Sequence, residues 1–184
     1  MKAIICLLVF VCTFINTAAD GRVKSRVPFY ITNAAKIHNV DPELMYAICL
    51  VESKCNAHAI NNDDGTANEK AIGIKIKSYG LFQIKLATAE DLGFISKTYV
   101  TSFTKRGKHI TKHRQVIDNS DELLKPATNA FYAAKFVAKL FKKYQSTEKT
   151  ISAYNAGHYI TSNTAYVYRV LKYFADLKLK NRRK

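Results

Sequence analysis

Behind Pro28, Phe29, Ile31, Ala34, Ala35 and Ile37 recur at helical spacing, which predicts a helix with one face turned to a core. Asp41-Pro42-Glu43 then supplies an N-cap, a proline at the first helical position and an acid that the helix dipole favours. The run that follows, Leu44 to Val51, carries no charge. A helix apolar on every side belongs in the centre of a domain, not on its surface. Pro126 opens a helix from Ala127 to about Tyr144, with Ala130, Ala134, Val137 and Phe141 in one stripe and Lys135, Lys139, Lys142 and Lys143 off it. Ser146 or Thr147 can cap the next, through Ile151 and Tyr154 to a stop at Gly157. A last helix is predicted from about Thr164 to Leu177, with Tyr166, Val167, Val170, Leu171 and Phe174 on its core face.

Two stretches depart from this period. Ile72, Ile74 and Ile76 alternate with Gly73 and Lys75, the pattern of a half-buried strand, and Asn61-Asn62-Asp63-Asp64-Gly65 before them reads as a turn or loop. Between Gly93 and Ile117 no element is assigned. Lys97, Lys105, Arg106, Lys108, Lys112 and Arg114 stand there without an acid, so residues 94–117 read as a basic, solvated insertion. The fold class is mostly α (α+β): one helical domain, core 28–175, with a small β element near its middle.

The N-terminus adds a compartment. Lys2, the apolar run Ala3 to Ile15 and the small Thr17-Ala18-Ala19 read as a secretory signal peptide over residues 1–19, cleaved after Ala19. A spanning helix needs about 20 apolar residues, and Asn16, Thr17, Asp20 and Arg22 close this run early; an uncleaved short anchor is the alternative. The expectation is an exported protein, periplasmic or secreted, comprising residues 20–184 with no transmembrane helix after cleavage.

With 184 residues, 48% of them hydrophobic, and only 7 Gly and 3 Pro, the chain is neither disordered nor collagen-like. Its 29 Lys+Arg against 14 Asp+Glu leave +15, which predicts a polyanionic partner: nucleic acid, an acidic membrane face or an anionic envelope polymer. Export makes nucleic acid an unexpected partner. The surplus lies in Arg22, Lys24 and Arg26, in the insertion, and in a tail over residues 178–184.

Of the 4 cysteines, Cys6 and Cys12 leave with the signal. In an unbroken helix Cys49 and Cys55 would stand roughly 9 Å apart along the axis, too far for a bridge. Either the chain turns between them and they pair, or they remain thiols. His109 and His113 have no third ligand in the sequence and no Cys/His zinc spacing exists, so neither metal nor cofactor is expected.

Three short segments carry candidate chemistry. Glu52 ends the uncharged helix, where burial and the negative helix C-terminus both raise a carboxyl pKa, as a general acid for glycosidic cleavage requires. In Ser78-Tyr79-Gly80-Leu81-Phe82-Gln83-Ile84, Gly80 allows close backbone approach, Gln83 both donates and accepts, and Phe82 offers a flat surface to a sugar. Ala153-Tyr154-Asn155-Ala156-Gly157 sets a phenol and an amide at a helix end. Taken singly, each has an ordinary reading: a solvated Glu in a last turn, a strand leaving a turn, a C-cap beside a buried Tyr.

In this order the three resemble the lytic transglycosylases of the soluble-lytic, lysozyme-like superfamily, whose pattern is Glu-Ser, then Gly-Leu-(Met or Phe)-Gln, then Ala-Tyr-Asn-Ala-Gly. The likeness extends to Val40-Asp41-Pro42-Glu43-Leu44, to Asn129 with Tyr132-Ala133-Ala134, and to Tyr166-Val167-Tyr168-Arg169-Val170-Leu171. It implies a lysozyme-like fold with the β element beside the catalytic cleft. It also implies Glu52 as acid and then base on the bond between N-acetylmuramic acid and N-acetylglucosamine, leaving a 1,6-anhydromuramoyl end. By the same resemblance, Ser53, Gln83, Tyr154 and Asn155 would hold N-acetyl and peptide groups, Phe82 and Tyr166 would line the cleft, and Gly80 and Asn129 belong to the substrate-binding positions. The implied partner is the peptidoglycan glycan strand, and the small single domain resembles members that act beside a secretion or conjugation apparatus. A goose-type lysozyme and a non-catalytic cationic wall-binding protein are the alternatives.

Overall fold

Asp41 caps the central helix with one carboxylate oxygen, which accepts from the backbone N–H of Glu43 at 2.9 Å and of Leu44 at 3.2 Å. The computed structural model describes residues 27–65, 76–106 and 109–182. The signal-peptide segment 1–19, Arg22, Lys24, Arg26, Lys108 and the Ile72 and Ile74 of the predicted strand lie outside them. Helix α1 spans Phe29–Ile37 and α2 spans Pro42–Ser53. Leu44 to Cys49 of α2 are all buried, so the helix is enclosed on every side, as its uncharged run predicts. The buried face of α1 is Ile31, Ala34 and Ala35, while Phe29 and Ile37 are exposed. At about 100° per residue Phe29 lies across the wheel from that stripe, and Ile37, at the helix's last position, lies on its edge beside Ala34.

Lys54 and Cys55 take left-handed φ values of 55° and 58°. This turn stops α2 and folds Cys55 back under the helix, with its Cα 5.0 Å from that of Cys49 and the two sulfurs joined as a disulfide.

Beyond it, β1 (Ile60–Asn61), β2 (Ser78–Tyr79) and β3 (Ile84–Lys85) form an antiparallel sheet in that order. Ile60 pairs with Tyr79 and Tyr79 with Ile84. Of the predicted strand only Ile76 is described, and it precedes β2. Helix α3 (Leu86–Asp91) follows.

The basic insertion is not a loop. Residues Lys97–Arg106 form β4 and His109–Asp118 form β5, paired antiparallel from Lys97↔Asp118 to Arg106↔His109. Its Tyr99, Phe103, Ile110 and Val116 recur among threonines at strand spacing, a signal that the crowd of cations hides. Its root is fixed: Ser96 hydrogen-bonds Glu90 of α3, and the Asn119 N–H donates to Ser96 O at 2.7 Å.

A 3-10 turn at Ser120–Leu124 leads to α4 (Pro126–Tyr144), α5 (Thr147–Ala156) and α6 (Thr164–Arg182). Helix α2 packs on α6, α1 on α4, and α5 on both α4 and α6. The last helix runs beyond the predicted Leu177 because its end is held. Lys178 reaches Asp41 at 2.6 Å and Glu43 at 3.2 Å, and Asn181 donates to Glu43 at 2.8 Å.

Candidate active site

Gly80-Leu81-Phe82-Gln83 is the turn that joins β2 to β3. Gly80 and Gln83 both sit at positive φ, 69° and 47°. A Cβ on Gly80 would meet Asn129 Nδ2 at 2.7 Å and Leu123 O at 2.8 Å, so both conformation and space require glycine. Asn129 clips the turn from α4: its Oδ1 accepts from Phe82 N–H at 2.9 Å, and its Nδ2 donates to Tyr79 O at 2.7 Å and Leu123 O at 2.8 Å. The Tyr154 hydroxyl, from α5, donates to Phe82 O at 2.8 Å. Ser53, at the end of α2, donates to Leu81 O at 2.7 Å. Three helices therefore hold one four-residue turn against the end of α2.

Glu52 lies one residue before that anchor. Tyr166 of α6 donates to its Oε1 at 2.5 Å. Burial is the largest influence on this carboxyl and raises its pKa. The Tyr166 hydrogen bond opposes, the Asp64 charge raises it again, and Arg169 and Lys85 lower it; the net result is a pKa of about 7. Burial, followed by the charge on Glu52, pushes the phenols of Tyr154 and Tyr166 well above their ordinary value, so both remain proton donors.

Glu52 opens into a cleft of about 190 Å³. All three short strands line it, through Asn61, Ser78, Ile84 and Lys85, opposite Phe136 of α4 and Tyr154 to Gly157 at the end of α5. Gln83 reaches it with its amide aimed by neighbours: Nε2 donates to Gly80 O at 2.9 Å and Ala59 O at 3.2 Å, and Oε1 accepts from Ser78 at 2.9 Å. Asn155 is oriented by Asn163 at 3.2 Å. A neighbouring groove of about 490 Å³ shares Thr88, Phe136 and Gly157 with the cleft and is edged by Lys139, Lys142 and Lys143, with Asp91 on its rim.

Of the residues singled out by sequence, the cleft thus gathers Glu52, Gln83, Tyr154 and Asn155. Phe82 and Asn129 lie elsewhere, each 0% exposed. The turn drives the Phe82 ring into the core instead of offering it to a sugar, and the Asn129 amide is spent on backbone. Gly80 faces Asn129, Ser53 is tied to the turn, and Tyr166 touches Glu52 from its buried side. Sequence reasoning passed over Lys85, Thr88 and Phe136 as cleft residues. Lys85 ends β3 and Thr88 lies in the first turn of α3 after it, and α4 brings the Phe136 ring centroid to 5.4 Å from that of Tyr154. Of the loop acids Asp63, Asp64 and Glu69, which the sequence offers as second carboxyls only for a hydrolytic variant, Asp64 lines the cleft and lies 3.9 Å from Lys85, and Glu69 lies outside the described residues. No cluster of three or more His, Cys, Asp or Glu is present among the described residues, and in β5 a strand's rise sets positions 109 and 113 roughly 13 Å apart.

A helical body and a three-stranded sheet flanking a cleft, with a half-buried carboxyl at the end of the central helix, define a lysozyme-like domain. The chain belongs to the transglycosylase SLT family, whose domain model matches residues 29–170. At the level of the family this is a transglycosylase with peptidoglycan as its substrate. No curated protein and no solved structure matches the chain.

Proposed function

We propose that this protein is an exported lytic transglycosylase that cleaves the β-1,4 bond between N-acetylmuramic acid and N-acetylglucosamine. The observation that carries the reading is Glu52, a cleft carboxyl whose pKa of about 7 leaves it half protonated at neutral pH, able both to give and to take a proton. Glu52 protonates the glycosidic oxygen as the bond breaks, and the muramic N-acetyl oxygen closes on the anomeric carbon. Carboxylate Glu52 then accepts the proton of the muramic C6 hydroxyl, whose oxygen displaces the N-acetyl group to give the 1,6-anhydro end. The Asn155 amide and the remaining acceptor capacity of Gln83 Oε1 hold the sugar beside the Tyr154 ring, and the lysine-edged groove suits the carboxylates of the peptide stems. Tyr166 and Ser53 position Glu52 and the turn.

Asp64 in the same cleft favours a second reading, hydrolysis, in which that carboxylate activates water. Mass spectrometry of digested peptidoglycan separates the two: anhydromuramoyl ends support the transglycosylase, and reducing muramic ends overturn it in favour of the hydrolase. Wild-type protein that releases neither would leave a wall-binding protein.

A further inference from the structure

The β4–β5 hairpin contributes nothing to the cleft, and every described side chain from Lys97 to Lys105 and from Ile110 to Asp118 is exposed. Ten residues of strand extend about 33 Å. A two-stranded ribbon of this kind is marginal in water unless another layer covers it.

The register sorts its side chains. Residues directly opposite share a face, and so do alternate residues along a strand. Tyr99↔Val116, Phe103↔Lys112 and Lys105↔Ile110 therefore place Tyr99, Phe103, Ile110 and Val116 on one face, exposed by 58%, 66%, 66% and 52%. Lys97, Lys105, Lys112 and Arg114 share that face with one acid, Asp118, opposite Lys97 at the root, and Arg114 lies over the Tyr99 ring at 4.7 Å. The opposite face carries Thr98, Ser102, Thr104, Thr111, His113 and Gln115, with the less exposed Val100 and Ile117, each 41%, as its apolar residues.

We propose that the aromatic and cationic face of this hairpin seats on an anionic phospholipid bilayer. Charge complementarity selects an anionic surface: on this face four Lys and Arg stand against the single Asp118 at its root. The apolar side chains then choose among anionic surfaces. Ile110 and Val116 gain little against a hydrated glycan or a phosphodiester chain, but leave water when they enter the boundary between headgroups and acyl chains. Tyr99 suits that boundary, and the lysines bury their stems while their ammonium groups meet lipid phosphate. Lysines along both strands also discourage strand addition by another protein.

The chain has no tryptophan, so Phe103→Trp installs a single tryptophan in the face, which can be excited apart from the tyrosines. With vesicles of phosphatidylcholine and phosphatidylglycerol its emission should shift to the blue and be quenched by brominated lipid; with phosphatidylcholine alone it should stay near its value in buffer. The double variant Phe103→Ser/Ile110→Ser, unchanged in charge, should lose about tenfold or more in partition to the anionic vesicles. Its thermal melting should match wild type, which shows the domain folded. An unshifted Trp on anionic vesicles, as for a face that serves a protein partner, overturns the proposal. So does a serine variant that sediments with them as well as wild type, because charge alone would then account for binding.

Discussion

The Tyr166 hydroxyl donates to Glu52 Oε1 at 2.5 Å across 114 residues of chain. Among the influences on Glu52 this is the largest that opposes burial. Without it the carboxyl would hold its proton more tightly still.

Tyr166→Phe should therefore move the Glu52 pKa upward from about 7, because the lost bond favours the carboxylate. The descending alkaline limb of the pH profile of kcat/KM should shift to higher pH. An unmoved limb, or one shifted down, would show that the phenol does not tune this acid.

Glu52→Gln should lower turnover on the order of 10² to 10⁴-fold while leaving glycan binding close to wild type. It should also change stability in a pH-dependent way. Glu52 rises from 4.5 to about 7 on folding, so between those values the folded chain keeps a proton that the unfolded chain releases. Wild-type stability then falls as pH rises through that window, by roughly 3 kcal/mol in total. The Gln variant lacks this slope and should be the more stable protein above pH 7. Urea titrations of both at pH 4.5 and pH 8 measure the difference; parallel behaviour would contradict the buried, protonated acid.

Asn129→Ala leaves Tyr79 O, Leu123 O and Phe82 N–H without their side-chain partner. At about 1–3 kcal/mol for a buried group left unpaired, the loss should reach about 3 kcal/mol or more and appear first in the midpoint of urea unfolding. Gly80→Ala, which forces a Cβ into the same asparagine, should act in the same direction. A variant of normal stability with a raised KM would instead place Asn129 in contact with substrate.

Replacing Cys49 and Cys55 by serine should cost about 2 kcal/mol, the chain-entropy value for so short a loop. Thermal melting of the variant, and of wild type with and without reductant, gives the figure. Equal melting temperatures would mean that the αL turn at Lys54 and Cys55 holds without the bridge.

Much of the fold is legible because its signals are local. Three prolines mark helix starts, Asp41 caps α2, and the uncharged run Leu44 to Val51 reports a buried helix without reference to any partner. The site is legible only in part. A motif tells which residues lie in a turn but not which way the turn faces, and so Phe82 reads as a sugar platform when it is a core residue. Asn129 carries no sign that its amide faces backbone 47 residues away. The hairpin is hidden for another reason: its strand period is written in threonines and isolated apolar residues, and the cations between them resemble solvated loop.

The surroundings of Glu52 are completed by residues made long after it, since Tyr166 follows by 114 positions. Glu52 is made early and Tyr166 belongs to the final helix, so a nascent or truncated chain that stops before Thr164 lacks the phenol on Glu52, the Arg169 charge and the α6 surface on which α2 packs. Such a chain holds every residue of the Gly80 turn and of the cleft lining, yet none of the side chains that meet Glu52 from α6. The order of synthesis thus leaves the surroundings of Glu52 incomplete until Tyr166 and the helix that carries it have been made.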